Sequence, residues 1–495
     1  MKVPLRKWLI LTHRYLGIVL SLLFVMWFVS GIAMIFARGM PELTRDMRME
    51  RLTELNMGAV KLTPAEALSK AELGRTPARA VLLMIMDRPA YRFTSDGTVT
   101  VFADTGEVLE GVGRPEALKI ASAYMELPES KLHYAGELNE PDQWTLEQRG
   151  DLPMHKISVD DESRTELYIS EGTAEVELMT TRGNRALAWV AAIPHWMYFT
   201  PLRVKDQTWR QVVLWTSGVG TVLALLGIIL SMTQFSTRYA GLMRWHYVTG
   251  TIFGVLALTW VFSGWLSMEP YFWASGGGTG NRIRQTLSGG PLDLAAFPAV
   301  GPGTWYDVLT ARFPKEIEFA RIQDDPYFIA RGIAAEPVLL SANPFAIRHE
   351  PFSIDSLMKR VQQGNPNVEI VESRVLSDYD SYYHPGGSDG RRPALPVLRM
   401  KFADPDATWF YIDPHTGQAV GRFTRRQRLQ RWIYHGFHSL DFNFWYYNGA
   451  VWRATMVALN AGGALLSGIG LVLAVKRVKR GISHKKAQKP QKVFL

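Results

Sequence analysis

The chain has 495 residues, a formal net charge of +9 from 55 Lys and Arg against 46 Asp and Glu, and no cysteine. Without thiols, disulfides, iron–sulfur clusters and cysteine chemistry are excluded. A length of this order admits several domains, and a near-zero mean hydropathy conceals four long apolar runs set in ordinary polar sequence.

Residues 8–36 form the first run. It meets the roughly 20 apolar residues needed to cross a bilayer core of about 30 Å. It is longer than a signal-peptide core and lacks a clear cleavage site, so it is expected to stay as an anchor. The polar insert 38–186 follows. In it LTPAEALSKAEL (62–73) predicts a helix with Thr63 as N-cap, and ARAVLLMIM, AYRFTS and VTVFADTGEVLE predict strands separated by Asp/Gly turns. ALAWVAAIPHWMYFTPL (186–202) is apolar and aromatic but too interrupted to be a span, which suits the membrane interface. The second run covers 209–232 and the third 245–268.

The second insert, 269–430, opens on ASGGGTGNR (274–282), read as a loop. Its glycines are not taken as a phosphate cradle, because no strand is expected before them and no helix start after them. SIDSLMKRVQQ (353–363) predicts a helix; VEIVESRVL, PVLRMKFA and TWFYIDPHTGQAV predict strands, and the stretch around Pro385-Gly386-Gly387 a loop. RWIYHGFHSLDFNFWYY (431–447) repeats the interfacial pattern before the fourth run, 450–475, and a basic tail, 476–495.

These runs predict a mainly α membrane protein of four transmembrane helices with two external α+β domains. Lys2, Arg6 and Lys7 precede the first helix, Arg238 and Arg244 lie in the 233–244 turn, and Lys476, Arg477, Lys479, Arg480, Lys485 and Lys486 follow the fourth. The positive-inside rule then puts both termini and that turn in the cytoplasm and both inserts outside it. Much of the +9 charge is this topology signal, so nucleic acid is not an expected partner; the tail suits anionic lipid.

The chain also repeats itself. An offset of 233 carries His13 onto His246, Gly17 onto Gly250, Trp27 onto Trp260 and Ser30-Gly31 onto Ser263-Gly264. An offset of 243 carries Tyr168-Ile169 onto Tyr411-Ile412, Trp189 onto Trp432, His195 onto His438, Trp209-Arg210 onto Trp452-Arg453, and Gly220 and Gly227 onto Gly463 and Gly470. Two helices per copy imply two halves crossing in the same sense, related by a pseudo-two-fold axis along the membrane normal.

The repeat selects four of the 11 histidines as two pairs: His13 with His246 near the cytoplasmic face, His195 with His438 near the outer one. Ionisable groups in spans are costly and commonly functional. Two neutral imidazoles from opposite sides, in a dry pocket lined by small residues, suit a haem iron. Gly17, Gly31, Gly250 and Gly264 offer small surfaces, or close helix packing; Trp27, Trp260, Phe24 and Phe253 offer aromatic walls or ordinary core. A zinc or copper site is the rival, and structural zinc asks for four ligands. His435, three residues before His438, is an alternative ligand without a counterpart, since Ala192 stands there in the first copy. His133, His155, His349, His384, His415 and His484 read as solvated. Trp196, Tyr198, Trp445, Tyr446 and Tyr447 read as interfacial anchors or as a docking platform.

The H-x3-G start of the first helix, its Ser-Gly end, and TWFYIDPHTGQAVGRFTRRQRLQRWIYHGFHSLDF (408–442) leading into a glycine-rich final helix resemble the PepSY-associated transmembrane helix family. That resemblance implies a bacterial inner-membrane protein with PepSY-like external domains, similar to haem-containing reductases of ferric siderophores. It implies two b-type haems, ligated by His13 and His246 and by His195 and His438, with His435 leaving the last ligand open. With no nicotinamide or flavin fingerprint, the electron donor would be a quinol or a separate reductase. Two other functions are weighed: a non-enzymatic PepSY-type regulator that binds an envelope protein, and a transporter of the chelate. Absence of Asp, Glu and Lys within the spans disfavours ion-coupled transport.

Overall fold

The computed structural model describes residues 3–37, 39–234, 238–268, 278–310, 312–333, 336–385, 393–445 and 448–487. It divides into a helical unit, Met1–Met40, Asn184–Ala274 and Gln427–Leu495, and a sheet unit, Pro41–Gly183 and Ser275–Arg426.

Four long helices make the helical unit: Val3–Ala37, Asp206–Thr233, Gly241–Ser267 and Gly449–Ala487. Each contains a stretch long and apolar enough to cross a membrane. A helix satisfies its own backbone polar groups, as a hydrocarbon environment demands. Large apolar side chains such as Val19, Leu22, Trp215, Ile252 and Val451 face outward, as lipid-facing residues do. The first helix packs against the fourth and the second, and the third packs against the second and the fourth. The first and third are therefore diagonal partners across the bundle. Between them lie Leu20, Phe24, Phe28, Leu223, Ala257, Trp260, Val261 and Met456. Phe28 stands 5.8 Å from Trp260 ring to ring. Gly462 and Gly463 make this packing possible, because a Cβ there would overlap the rings of Phe253 and Phe28.

Before the second helix the interfacial segment folds as short helices, Arg182–Val190, Ala192–Trp196 and Thr200–Arg203. Before the fourth it forms Arg425–Arg431, the π-helical Trp432–Gly436, Phe437–Ser439 and Asn443–Trp445.

In the sheet unit, Thr63 caps the predicted first-insert helix, Pro64–Lys70, in a reciprocal capping box with Glu66. The second predicted helix is Ile354–Gly364. Taking each insert as its own module, however, misses the central feature. Strand Arg79–Ile85 of the first insert pairs antiparallel with Glu316–Ile322 of the second, Ala80 facing Phe319 and Leu82 facing Ile317. Three strands of one insert and four of the other thus form one seven-stranded sheet. Leu82, Tyr91 and Phe93 share a core with Ile317, Phe319 and Phe328. Both inserts bring an apolar strand face, and a joint sheet buries both against one core.

Each insert also builds a four-stranded antiparallel sheet of its own. In these, the fully buried Tyr168 and Tyr411 donate hydroxyl hydrogens to Asp142 and Asp380, at 3.0 and 2.7 Å. A further correction concerns the glycine-rich stretch: a helix does start there, Gly278–Ser288. Residues 274–277 and the pair Gly386-Gly387 lie outside the described residues.

Candidate functional site: two facing histidine pairs

His13 lies on the first long helix and His246 on the third, and the diagonal arrangement turns both into the bundle. Their ring centroids are 6.4 Å apart, the planes inclined by 40°. His195 lies in the last turn of the short helix Ala192–Trp196, which packs on the first long helix, and His438 sits in Phe437–Ser439, which packs on the third. Their centroids are 6.0 Å apart at 67°. The four singled-out histidines therefore meet two by two, in the pairing expected. Measured along the helices, His13 and Ser30 are 17 residues apart, as are His246 and Ser263. That separates the two levels by about 25 Å at 1.5 Å per residue.

Three of the four rings have a partner at Nδ1. Nδ1 of His195 lies 3.1 Å from Ser30 Oγ, and Nδ1 of His438 lies 3.1 Å from Ser263 Oγ. At the other level Nδ1 of His13 is 3.3 Å from the Leu223 carbonyl. His246 faces the repeat-related Leu466 carbonyl, but its Nδ1 closes no hydrogen bond. Glycine gives these rings room. A Cβ on Gly227 would stand 3.1 Å from His13 Cε1, and one on Gly470 would stand 3.5 Å from His246 Cε1. Gly31 lies beside His195 and Gly264 beside His438, at 3.6 and 3.9 Å on the same measure. Gly17 and Gly250, expected to serve the first pair, instead meet Leu223 and Leu466.

The turns carrying His195 and His438 are held alike. Met197 and Leu440 end them in the left-handed region, at φ 55° and 50°. The Trp209 indole donates to the Trp196 carbonyl at 2.9 Å, and the Trp452 indole donates to the Ser439 carbonyl at 2.8 Å. Ser30, Ser263, Gly227, Gly470, Trp209 and Trp452 all occur among the repeat matches. A repeat match marks a position as shared but does not say which side chain it touches, so their roles emerge only in three dimensions.

His435 does not join the pair. It is exposed on the π-helical turn, its ring 4.9 Å from Tyr434, while His438 faces His195. His155 was expected in solvent and is instead buried, bonded to Tyr134 Oη at 3.0 Å and to the Val112 carbonyl at 2.7 Å. His133, His349 and His415 are exposed as read. Trp196, Tyr198 and Trp209 form an edge-to-face series with Arg203 stacked on the last two; Trp445 packs on Phe444. Tyr446 and Tyr447 lie outside the described residues. No group of three or more His, Asp or Glu among the described residues is arranged to hold a metal ion, and this removes the support for a four-ligand zinc site.

Four helices able to span a bilayer, two facing histidine pairs and a sheet unit define a multi-pass membrane protein. The chain belongs to the PepSY-associated TM region family, whose model matches residues 10–304. No curated protein matches it.

Proposed function

We propose that the protein is a transmembrane electron carrier that binds two b-type haems, one between each histidine pair, and passes electrons to a ferric chelate outside the cytoplasm. The observation that carries this is the spacing of the rings. Two imidazoles sharing one metal from opposite sides, at roughly 2 Å per bond, stand about 6 Å apart centre to centre. The two pairs stand at 6.4 and 6.0 Å. With Nδ1 engaged at three of the four rings, the opposite nitrogen, Nε2, is the one left for ligation. Haem so held supplies one-electron chemistry at a potential set by its ligands and surroundings.

The chain's own residues do the rest. The bundle holds the imidazoles in an apolar setting, and Phe24, Phe28, Trp27 and Trp260 exclude water between the two levels. The basic residues at the helix ends support cytoplasmic termini by the positive-inside rule, and the family resemblance supports a bacterial inner membrane. A quinol or separate reductase is then the donor, and a ferric siderophore the acceptor at the His195 level.

The test is the visible spectrum and haem content of the purified protein. Two low-spin b-type haems per chain are expected, falling to one in His13→Ala or His195→Ala and unchanged in His435→Ala. A colourless wild-type protein would end the reading.

A further inference from the structure

We infer that Ser30 and Ser263 are positioning residues that set the tautomer of His195 and His438. The hydroxyl geometry leaves one consistent assignment. Ser30 Oγ is 3.1 Å from the Trp27 carbonyl and 3.1 Å from His195 Nδ1. Ser263 Oγ is 3.0 Å from the Trp260 carbonyl and 3.1 Å from His438 Nδ1. A hydroxyl has a single hydrogen, and a carbonyl only accepts. The serine hydrogen therefore goes to the carbonyl three residues back in its own helix, a common use of serine within helices. The lone pair is left facing the imidazole, so Nδ1 must carry a proton and donate it.

At His438 a second contact agrees. Its Nδ1 is also 3.3 Å from the Trp260 carbonyl, which likewise accepts only. Both serines are almost fully buried, at 1% exposure, so water does not compete for the bond. In a neutral ring a protonated Nδ1 leaves Nε2 with its lone pair, the form a metal requires. Both rings of this pair are thus fixed before any ligand arrives. The His13 pair differs: His13 donates to the Leu223 carbonyl, whereas His246 faces the Leu466 carbonyl without closing a hydrogen bond to it. The chain presents one fully fixed level and one half-fixed level.

The assignment of the tautomer stands on hydrogen bonding alone; its consequence for haem rests on the function proposed above. Two measurements keep them apart. In the full-length, haem-free protein labelled with 15N-histidine, nitrogen NMR should show His195 and His438 protonated at Nδ1 and bare at Nε2, the two signals identified by their loss in His195→Ala and His438→Ala. Ser30→Ala should bring the second tautomer of His195 into view, and Ser30→Thr should restore the first. Ser263→Ala should act in the same way on His438, since each ring also faces the carbonyl three residues before its serine.

In the haem-loaded protein, Ser30→Ala should lower haem retention at this level about 10-fold or more, the usual cost of losing such a support, and shift that haem's midpoint potential while leaving the other unchanged. An NMR pattern with Nε2 protonated in the wild type, or one untouched by Ser30→Ala, overturns this inference and leaves the haem reading standing. A wild type that takes up no haem when haem is supplied, yet shows the Nδ1–H pattern, upholds the tautomer and overturns the haem reading.

Discussion

Gly227 shows how a missing side chain can matter as much as a ligand. It stands one helical turn after Leu223, whose carbonyl receives His13 Nδ1, and a Cβ there would press on His13 Cε1 at 3.1 Å. Gly227→Ala should therefore push the ring off its carbonyl and remove the haem of that pair. Gly17→Ala, whose Cβ would meet only Leu223 Cδ1 at 4.0 Å, should leave the spectrum intact. Alanine is the better helix former by about 1 kcal/mol, so neither variant should lower the melting temperature of the haem-free protein. A spectral loss with unchanged melting would isolate the local effect. The histidines were legible in the sequence because duplication marks them. The glycines' roles were not, since both Gly17 and Gly227 repeat and only packing tells which one a ring leans on.

A second residue-scale effect lies in the sheet unit. Burial pushes the Glu177 carboxyl up to about 7 from its ordinary 4.5. The native state then holds this proton more tightly than the unfolded chain, so the group's contribution to stability falls as pH rises from about 4.5 to about 7. Glu175 and Glu316 behave oppositely. Burial alone would raise both, but Arg92 and Arg48 beside the first, and Arg48 and Arg79 beside the second, hold them below the ordinary carboxylate range. Their contribution is complete above about pH 4.5 and is lost as pH falls below it. Unfolding of the sheet unit followed against pH should show greatest stability near pH 5, and Glu177→Gln should flatten the limb between pH 5 and 7.

At the scale of elements, the segments carrying His195 and His438 are too short to stand alone. A helix of five residues or fewer gains little from its own hydrogen bonds, so neighbours must hold it. The indoles of Trp209 and Trp452 do so by bonding the carbonyls just past each histidine. Trp209→Phe keeps an aromatic ring and deletes that bond, at a cost of about 1 kcal/mol. Haem retention at the His195 level should drop while the His13 level and the sheet unit's melting are unchanged, as haem counting beside calorimetry would show. The four long helices and the capped helix after Thr63 were readable because length, apolarity and capping residues are local signals. The short turns were visible only as interrupted apolar stretches, since their structure is imposed by the helices they lean on.

At the scale of the whole molecule, the joint sheet is the feature no local signal could announce. Its seam pairs residues more than 230 positions apart, and alternation within a strand says nothing about which strand lies beside it. Charge closes the same seam. Glu316, 1% exposed, accepts from Arg48 and Arg79 of the first insert and from Arg331 of the second. Arg48 continues to Glu175 at 2.7 Å, which also pairs with Arg92. Removing one member of such a buried network strands the opposite charges, at a typical cost of 3–5 kcal/mol. Glu316→Gln keeps the volume and removes the charge, so denaturant unfolding of the full chain should show a loss on the order of 3 kcal/mol in the sheet unit. Asp160→Asn breaks only the exposed pair with Lys131 and should change stability by less than about 1 kcal/mol. Equal effects from the two variants would mean that the inserts are joined by their apolar core alone, with the arginines serving only to neutralise a carboxylate the fold could do without.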